Sequence, residues 1–420
     1  MATIAPGPTG HPLHDQLRRF ESNPLQFLAE MHRTYGDVVL LRLWPHVVHL
    51  VCHPDDIRHV LVTHADNFHE LSAPGLRDVA PKHVQGRAID GLVDEAVGAT
   101  SALLDRWAAR REPEVPVDLA SELRAVALDV LGRVVFGSDL AAHLRDLEPD
   151  LAIASRFAAP HRSLSTVQRL ARGRDGVSDE VAGAVARLQA FARGVIDRHR
   201  SSGESDGDGD DRGLVNELLG LEGEDDTIAS LLALLIAGHE STASALTWTL
   251  LLLSDHASAR ARVVDEIDDV LHGRAPLADD LPLLRHTRMA LQEAMRLFPP
   301  VWLLVPRAVR HDDEIRGHTI RAGSIVLVSP WVTHRDPSYW RDADVFAPER
   351  FVDAAPSGYL PFGAGPWGCI GSQFGMTEAR VVLAMILQRV QLERVTENPL
   401  EGDPCSALWP TDARVVVRRV

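Results

Sequence analysis

Ten residues, Phe362 to Gly371, read Phe-Gly-Ala-Gly-Pro-Trp-Gly-Cys-Ile-Gly and constrain this chain more than any other stretch. Glycines at 363, 365, 368 and 371 surround a single cysteine, Cys369, and a helical pattern follows at once from Ser372 to Arg389. Glycine lacks a Cβ, so such a loop can take positive φ and bring its backbone close to a flat ligand, with N–H groups turned toward one sulfur. That setting suits a metal-bound thiolate. The plainer reading is a buried structural cysteine in a Gly-rich turn.

Phe362, Gly365, Cys369 and Gly371 follow the spacing F-x-x-G-x-x-x-C-x-G, which resembles the haem-binding loop of the cytochrome P-450 family. The resemblance implies haem b as cofactor with Cys369 as its axial thiolate, an anionic ligand that favours O–O cleavage. It also implies the family's fold, mainly α with a smaller β-rich region in a triangular prism, here as one domain over residues 1–420. One position departs. Two before the cysteine the family usually carries Arg or His, a partner for a haem propionate, and here Trp367 offers one N–H donor and no charge.

A nearly all-round apolar pattern from Ile228 to Leu253 predicts a long helix with Asp226-Thr227 at its start. Its length also fits a membrane span. Gly238-His239-Glu240-Ser241-Thr242 interrupts the middle with groups that are costly in lipid, so a helix through the core is the better account. Ala237 to Thr242 is similar to the family's oxygen-binding motif, an Ala-Gly pair followed by an acid and an alcohol. Gly238 would let the macrocycle approach, and a hydroxyl at 241 can bond the carbonyl of Ala237. By resemblance Glu240 and Ser241, with Thr242 beside them, match the acid and alcohol that supply protons during oxygen activation. The family's usual alcohol is Thr, and Ser241 lacks the methyl that fixes a rotamer.

Glu293-Ala-Met-Arg296 sets an acid and a base on one helix face. Alone this pair says little, but Ala347-Pro-Glu-Arg350-Phe resembles the family segment whose arginine joins it. Glu293, Arg296 and Arg350 are therefore expected as a buried three-charge network that holds the cysteine loop. After Pro299-Pro300 an extended stretch from Val301 to Val305 leads to Arg307. In relatives this strand passes the haem, which makes Val301, Trp302 and Leu303 candidate pocket residues and Arg307 the candidate partner of a propionate. Near the C-terminus, Ser406 to Trp409 matches a hairpin that dips into the substrate pocket, so Ala407 and Leu408 join the candidates.

The chain departs from its relatives a second time between Phe68 and Trp107, where it is short by several helical turns. Relatives carry there a helix that supplies a cation to a propionate, and His83 and Arg87 are the nearest substitutes. Ser201 to Asp211 holds no apolar residue and reads as a solvated loop; a calcium reading fails for want of the twelfth-position Glu. His239 and His334 show no metal-ligand spacing.

The 43 Lys and Arg against 59 Asp and Glu leave a net charge of −16, which argues against nucleic acid or an anionic membrane as partner. Cys52, Cys369 and Cys405 are too few and too odd in number for a disulfide framework. The first ten residues lack a basic region followed by an apolar run, so the expectation is a cytoplasmic protein without signal or membrane anchor. The resemblance implies a monooxygenase that oxidises an apolar small molecule with dioxygen and two electrons. No G-x-G-x-x-G lies between a strand and a helix, so electrons are expected from separate partners, by analogy a ferredoxin and its reductase. Two other classes stay open: a haem protein that senses or binds without turnover, and a peroxide-driven oxidase.

Overall fold

The computed structural model describes residues 3–8, 15–43, 46–70, 88–136, 144, 146–157, 179–201, 219, 223–353 and 355–419. His83, Arg87 and nearly all of the acidic loop at 201–211 lie outside them. The architecture is mainly helical, with the strands gathered into smaller sheets.

The centre is the helix Glu224–Asp255. It starts two residues ahead of Asp226, with Gly223 at φ of 79° as its N-cap, and the Thr227 hydroxyl donates to the Gly223 carbonyl (2.6 Å) instead of capping the start. From Ala243 to Leu253 every residue is buried, which explains why no polar face shows in the sequence. Among the described residues it alone is long and apolar enough to cross a membrane, and more than half of its apolar window is buried inside the protein. Helices Leu119–Phe136, Arg285–Leu297 and Ser372–Arg389 pack around it. Gly238 permits the closest of these approaches: a Cβ there would sit 2.9 Å from Leu131 Cδ2.

The main sheet interleaves the two ends of the chain. Val38–Leu43 pairs antiparallel with His46–Val51, which runs parallel to Ile325–Val328. Ile325–Val328 then pairs antiparallel with Arg307–Val309, and that strand with Phe68–Glu70. A second sheet joins Val117–Asp118, Arg414–Arg419 and Val390–Arg394. Gly402–Pro404 and Leu408–Pro410 form a short hairpin.

The expected strand at 301–305 is not one. Residues 301–303 bend, and the first strand residue is Arg307. Prolines at 299, 300 and 306 bracket the segment and remove ladder donors. It is tied down by single bonds instead: the Ser329 hydroxyl to the Trp302 carbonyl (2.7 Å) and the Leu304 N–H to the Val328 carbonyl (2.9 Å).

Candidate active site

The cysteine loop is a tight reversal. The Cys369 N–H donates to the Phe362 carbonyl (2.8 Å) and the Gly368 N–H to the Gly365 carbonyl (3.0 Å). Of its four glycines, 363 and 365 take positive φ, 66° and 68°, while 368 and 371 keep ordinary values. Gly365 is needed twice over, since a Cβ there would lie 1.9 Å from the Leu61 carbonyl oxygen. Gly371 serves as the N-cap of Ser372–Arg389, so the exposed Cys369 precedes a helix N-terminus by two residues. That helix meets the core helix at Thr242, whose hydroxyl would stand 3.4 Å from a Cβ on Gly375.

Trp367 does more than vacate a charge. Its ring carries the Arg307 guanidinium, with Cζ 5.7 Å from the ring centroid, and Arg307 is buried. A cation over an indole face is an attractive arrangement at this range.

On the core helix, the Ser241 hydroxyl donates to the Ala237 carbonyl (2.8 Å) and that of Thr242 to the Gly238 carbonyl (3.2 Å). Ala233 and Ala237 are exposed and Ser241 half-exposed, a strip of small residues at four-residue spacing that leads up to the fully buried stretch of the helix.

Glu240 points elsewhere. Its carboxylate is nearly buried and accepts from the Trp409 indole N–H (2.8 Å) and the Ser406 hydroxyl (3.4 Å), both on Oε2. Arg124 Nε lies 3.5 Å from Oε1, and the same guanidinium covers the Trp409 ring at 4.3 Å. His239 presents Nε2 to Oε1 at 3.7 Å while Nδ1 bonds the Leu235 carbonyl; burial pushes its pKa down, so it stays neutral. Sequence reasoning missed Arg124, whose only trace is a cation inside an apolar helical run.

Glu293, Arg296 and Arg350 lie together. Arg296 is bidentate on Glu293 (2.7 and 2.8 Å), and Arg350 reaches the same carboxylate at 3.2 Å. Glu293 also accepts the Ala347 N–H (2.9 Å), and Arg296 spends its remaining donors on the carbonyls of His334, Ala343 and Val345. Glu293 and Arg296 are fully buried and each has its charge partnered.

Among the pocket candidates, Trp302, Leu303, Ala407 and Leu408 are all buried in the main core, and Val301 alone retains surface. Leu408 is pinned: its carbonyl accepts from Ser244 (2.6 Å) and Trp248 (2.7 Å), and its N–H donates to the Pro300 carbonyl (2.9 Å). Trp302 donates its indole N–H to the Cys405 carbonyl (3.1 Å), locking the two segments together.

Comparison with known proteins agrees with this architecture. A model of the cytochrome P-450 family matches residues 5–91 and 76–414, and the match breaks near the stretch after Phe68 that reads as short. Cyclooctatin synthase of Streptomyces melanosporofaciens is 33% identical over 99% of this chain and 95% of its own length. That alignment runs over 451 positions, so part of the relative has no counterpart here. Cyclooctat-9-en-7-ol 5-monooxygenase of the same organism is 30% identical over 95% of this chain and 91% of its own. The crystal structure of the cytochrome P450DA heme domain superposes with a TM-score of 0.84 at 22% identity, covering all of this chain and 98% of that one. With that fold, that loop and those relatives, the chain belongs to the cytochrome P-450 family of haem-thiolate monooxygenases.

Proposed function

We propose that Cys369 is the axial iron ligand of a haem b, and that the protein uses dioxygen and two electrons to oxidise a largely apolar small molecule. Membership of the family implies a haem-thiolate cofactor, and the residues present fit one. Cys369 precedes the N-cap of a helix by two residues, and negative charge is favoured near a helix N-terminus. Arg307 supplies a buried cation next to the same loop, suited to a propionate. The observation that carries the proposal is the open strip Ala233, Ala237 and Ser241 beside the fully buried half of the core helix, because a flat macrocycle needs such a surface.

A thiolate-ligated haem, when bound, supplies the reductive activation of dioxygen. The chain's own residues do the rest. Phe362, Gly365 and Gly371 shape the loop that presents the thiolate. Ala237 keeps the helix surface low, while the Gly238 expected to do the same instead gives room to Leu131 of the neighbouring helix. Ser241 spends its proton on the Ala237 carbonyl, so its oxygen lone pairs face the open strip as acceptors for water. Glu240 is the neighbouring group able to exchange protons, and Thr242 stiffens the turn through Gly238. The Glu293, Arg296 and Arg350 network holds the segment that leads into the loop.

For substrate, the relative named as acting on cyclooctat-9-en-7-ol suggests a mostly hydrocarbon alkenol, with Val301 as the pocket candidate that keeps a surface to meet it. Electrons would come from a ferredoxin and its reductase at the Cys369 face, in the cytoplasm. The test is the spectrum of the reduced protein under carbon monoxide. A Soret band at the thiolate position, lost in Cys369→Ala, is expected; a wild-type spectrum without that band sinks the proposal.

A further inference from the structure

A single turn of π-helix, His59–Thr63, follows the short helix Pro54–Arg58, and the His64 N–H closes it on the His59 carbonyl (2.9 Å). Such a turn holds one residue more than an α turn, and turns of this kind gather at functional sites. This one meets the cysteine loop. A Cβ on Gly365 would lie 1.9 Å from the Leu61 carbonyl oxygen and 3.2 Å from Val62 Cα, so the π turn and the loop touch backbone to backbone. A glycine Cα–H against a carbonyl oxygen adds a weak attraction to that close fit.

The same stretch reaches the cation of the site. Beyond the π turn, Phe68–Glu70 pairs with Arg307–Val309, with Glu70 opposite Arg307, and Arg307 in turn lies over Trp367. Residues 59–70, the strand of Arg307 and the loop of Cys369 thus close a ring of contacts. The extra residue of the π turn sets its register: one residue fewer would rotate the chain beyond it by about 100° and carry Phe68 away from Val309. One bond ties the ring across. His59 Nε2 donates to Oδ2 of Asp313, the first residue of the strand Asp313–Ile315 (3.0 Å). That carboxylate is fixed by further donors, Asn67 Nδ2 on Oδ2 (3.2 Å) and the Glu314 N–H on Oδ1 (2.7 Å). The His59 ring is stacked on that of His64, with centroids 3.9 Å apart, so both ends of the π turn are gripped.

Resting on the function proposed above, we infer that His59 is a positioning residue for the thiolate: its bond to Asp313 fixes the π turn, and the turn holds the Leu61 carbonyl against Gly365 and so keeps the loop around Cys369 closed. The residue acts through the backbone of another segment, from outside the loop. A hydrogen bond to a charged group is worth more than one between neutral groups, which suits a single contact that must hold a turn against its tendency to relax into an α-helix.

Hydrogen exchange on the full chain as purified tests this. The Cys369 and Gly368 amides, which close the loop on the carbonyls of Phe362 and Gly365, report its opening, and those of Val390–Arg394 in the second sheet serve as the reference. His59→Phe keeps a ring on His64 and removes the donor. Exchange at the loop amides is then expected to speed up at least about ten-fold against the reference. His59→Gln restores a donor near the place of Nε2 and is expected to stay within about three-fold of wild type. A loop as protected in His59→Phe as in wild type overturns the inference, and so does a His59→Gln variant loosened as much as His59→Phe. If His59→Phe does not fold, Asp313→Leu removes the acceptor instead and is read in the same way. In the haem-loaded protein, the reduced carbon monoxide complex of His59→Phe should lose its thiolate Soret band at least about three-fold faster than wild type, and equal rates count against the inference. Failure of the function proposed above shows separately, as a wild-type protein that never has that band.

Discussion

The Arg307 guanidinium lies over the Trp367 ring, 5.7 Å from its centroid, on the loop that carries Cys369. An indole cannot pair with a carboxylate as a cation does, but it can hold one that does. Cation–π contacts of this kind are worth roughly 0.5–2 kcal/mol. Trp367→Ala is therefore expected to weaken haem retention about 3- to 30-fold, and Arg307→Leu more than that. Haem transfer to apomyoglobin measures both; equal retention in Arg307→Leu and wild type would remove Arg307 from the site.

Glu293 carries two arginines in a place closed to solvent. Removing one partner from such a group leaves a buried charge uncompensated, at a cost of about 3–5 kcal/mol. Glu293→Gln should lower the urea midpoint or abolish soluble expression. Arg350→Ala, which removes the partly accessible member at 3.2 Å, should cost less.

Gly365 combines a φ of 68° with a backbone contact that leaves no room for a methyl group. Gly365→Ala is expected to destabilise the protein by roughly 3 kcal/mol or more, because both the dihedral and the Leu61 carbonyl must move. Gly371→Ala, where a Cβ would meet nothing within 4 Å, serves as the control. Chemical denaturation of the two variants compares them directly.

Two buried histidines make the fold sensitive to acid. Burial, and then the charge of His318, pushes the His49 pKa down to about 4. Burial, and then Arg296 and Arg335, pushes that of His334 down to about 3. Below pH 6.5 the unfolded chain takes up protons that the folded chain refuses. Stability should fall with pH from about 6.5 to about 3, by about 1 kcal/mol per pH unit for each histidine. His334 also accepts the Leu360 N–H on Nε2 (2.8 Å), a bond that protonation breaks. Thermal melts across this range should show the decline, and His49→Gln should roughly halve the slope above pH 4, leaving the part due to His334.

Ser241→Ala removes the hydroxyl that bonds the Ala237 carbonyl. On a half-exposed turn the stability change should stay within about 1 kcal/mol. Product formed per reducing equivalent should drop at least about five-fold. A variant as well coupled as wild type would take Ser241 out of proton supply.

Local signals were the legible ones. The Ser372–Arg389 helix follows from spacing within a few residues, and Glu293 and Arg296, three apart on one helix, meet as that spacing allows. The Ser241 to Ala237 bond was legible for the same reason, being a contact four residues apart on one helix. What stayed hidden depends on distance along the chain. Nothing near Glu240 announces that its partners are Arg124 and Trp409, each more than a hundred residues away. Trp302 and Leu408 read as pocket residues only through the family resemblance, and local sequence carries nothing that tells such a residue from the buried core residues both are. The stretch 301–305 has strand-like composition, yet its flanking prolines leave it bound by isolated contacts.

The main sheet sets a timetable for synthesis. Its strand at 46–51 finds its parallel neighbour only in residues 325–328. At ribosomal speeds of about 5–20 residues per second, roughly 270 residues of translation separate the two, on the order of 15–55 s. Until then an apolar strand edge, Val-Val-His-Leu-Val, waits beside the exit tunnel with only its hairpin mate for cover. Nascent chains stalled before residue 325 should therefore call on chaperones, and those released after it should not.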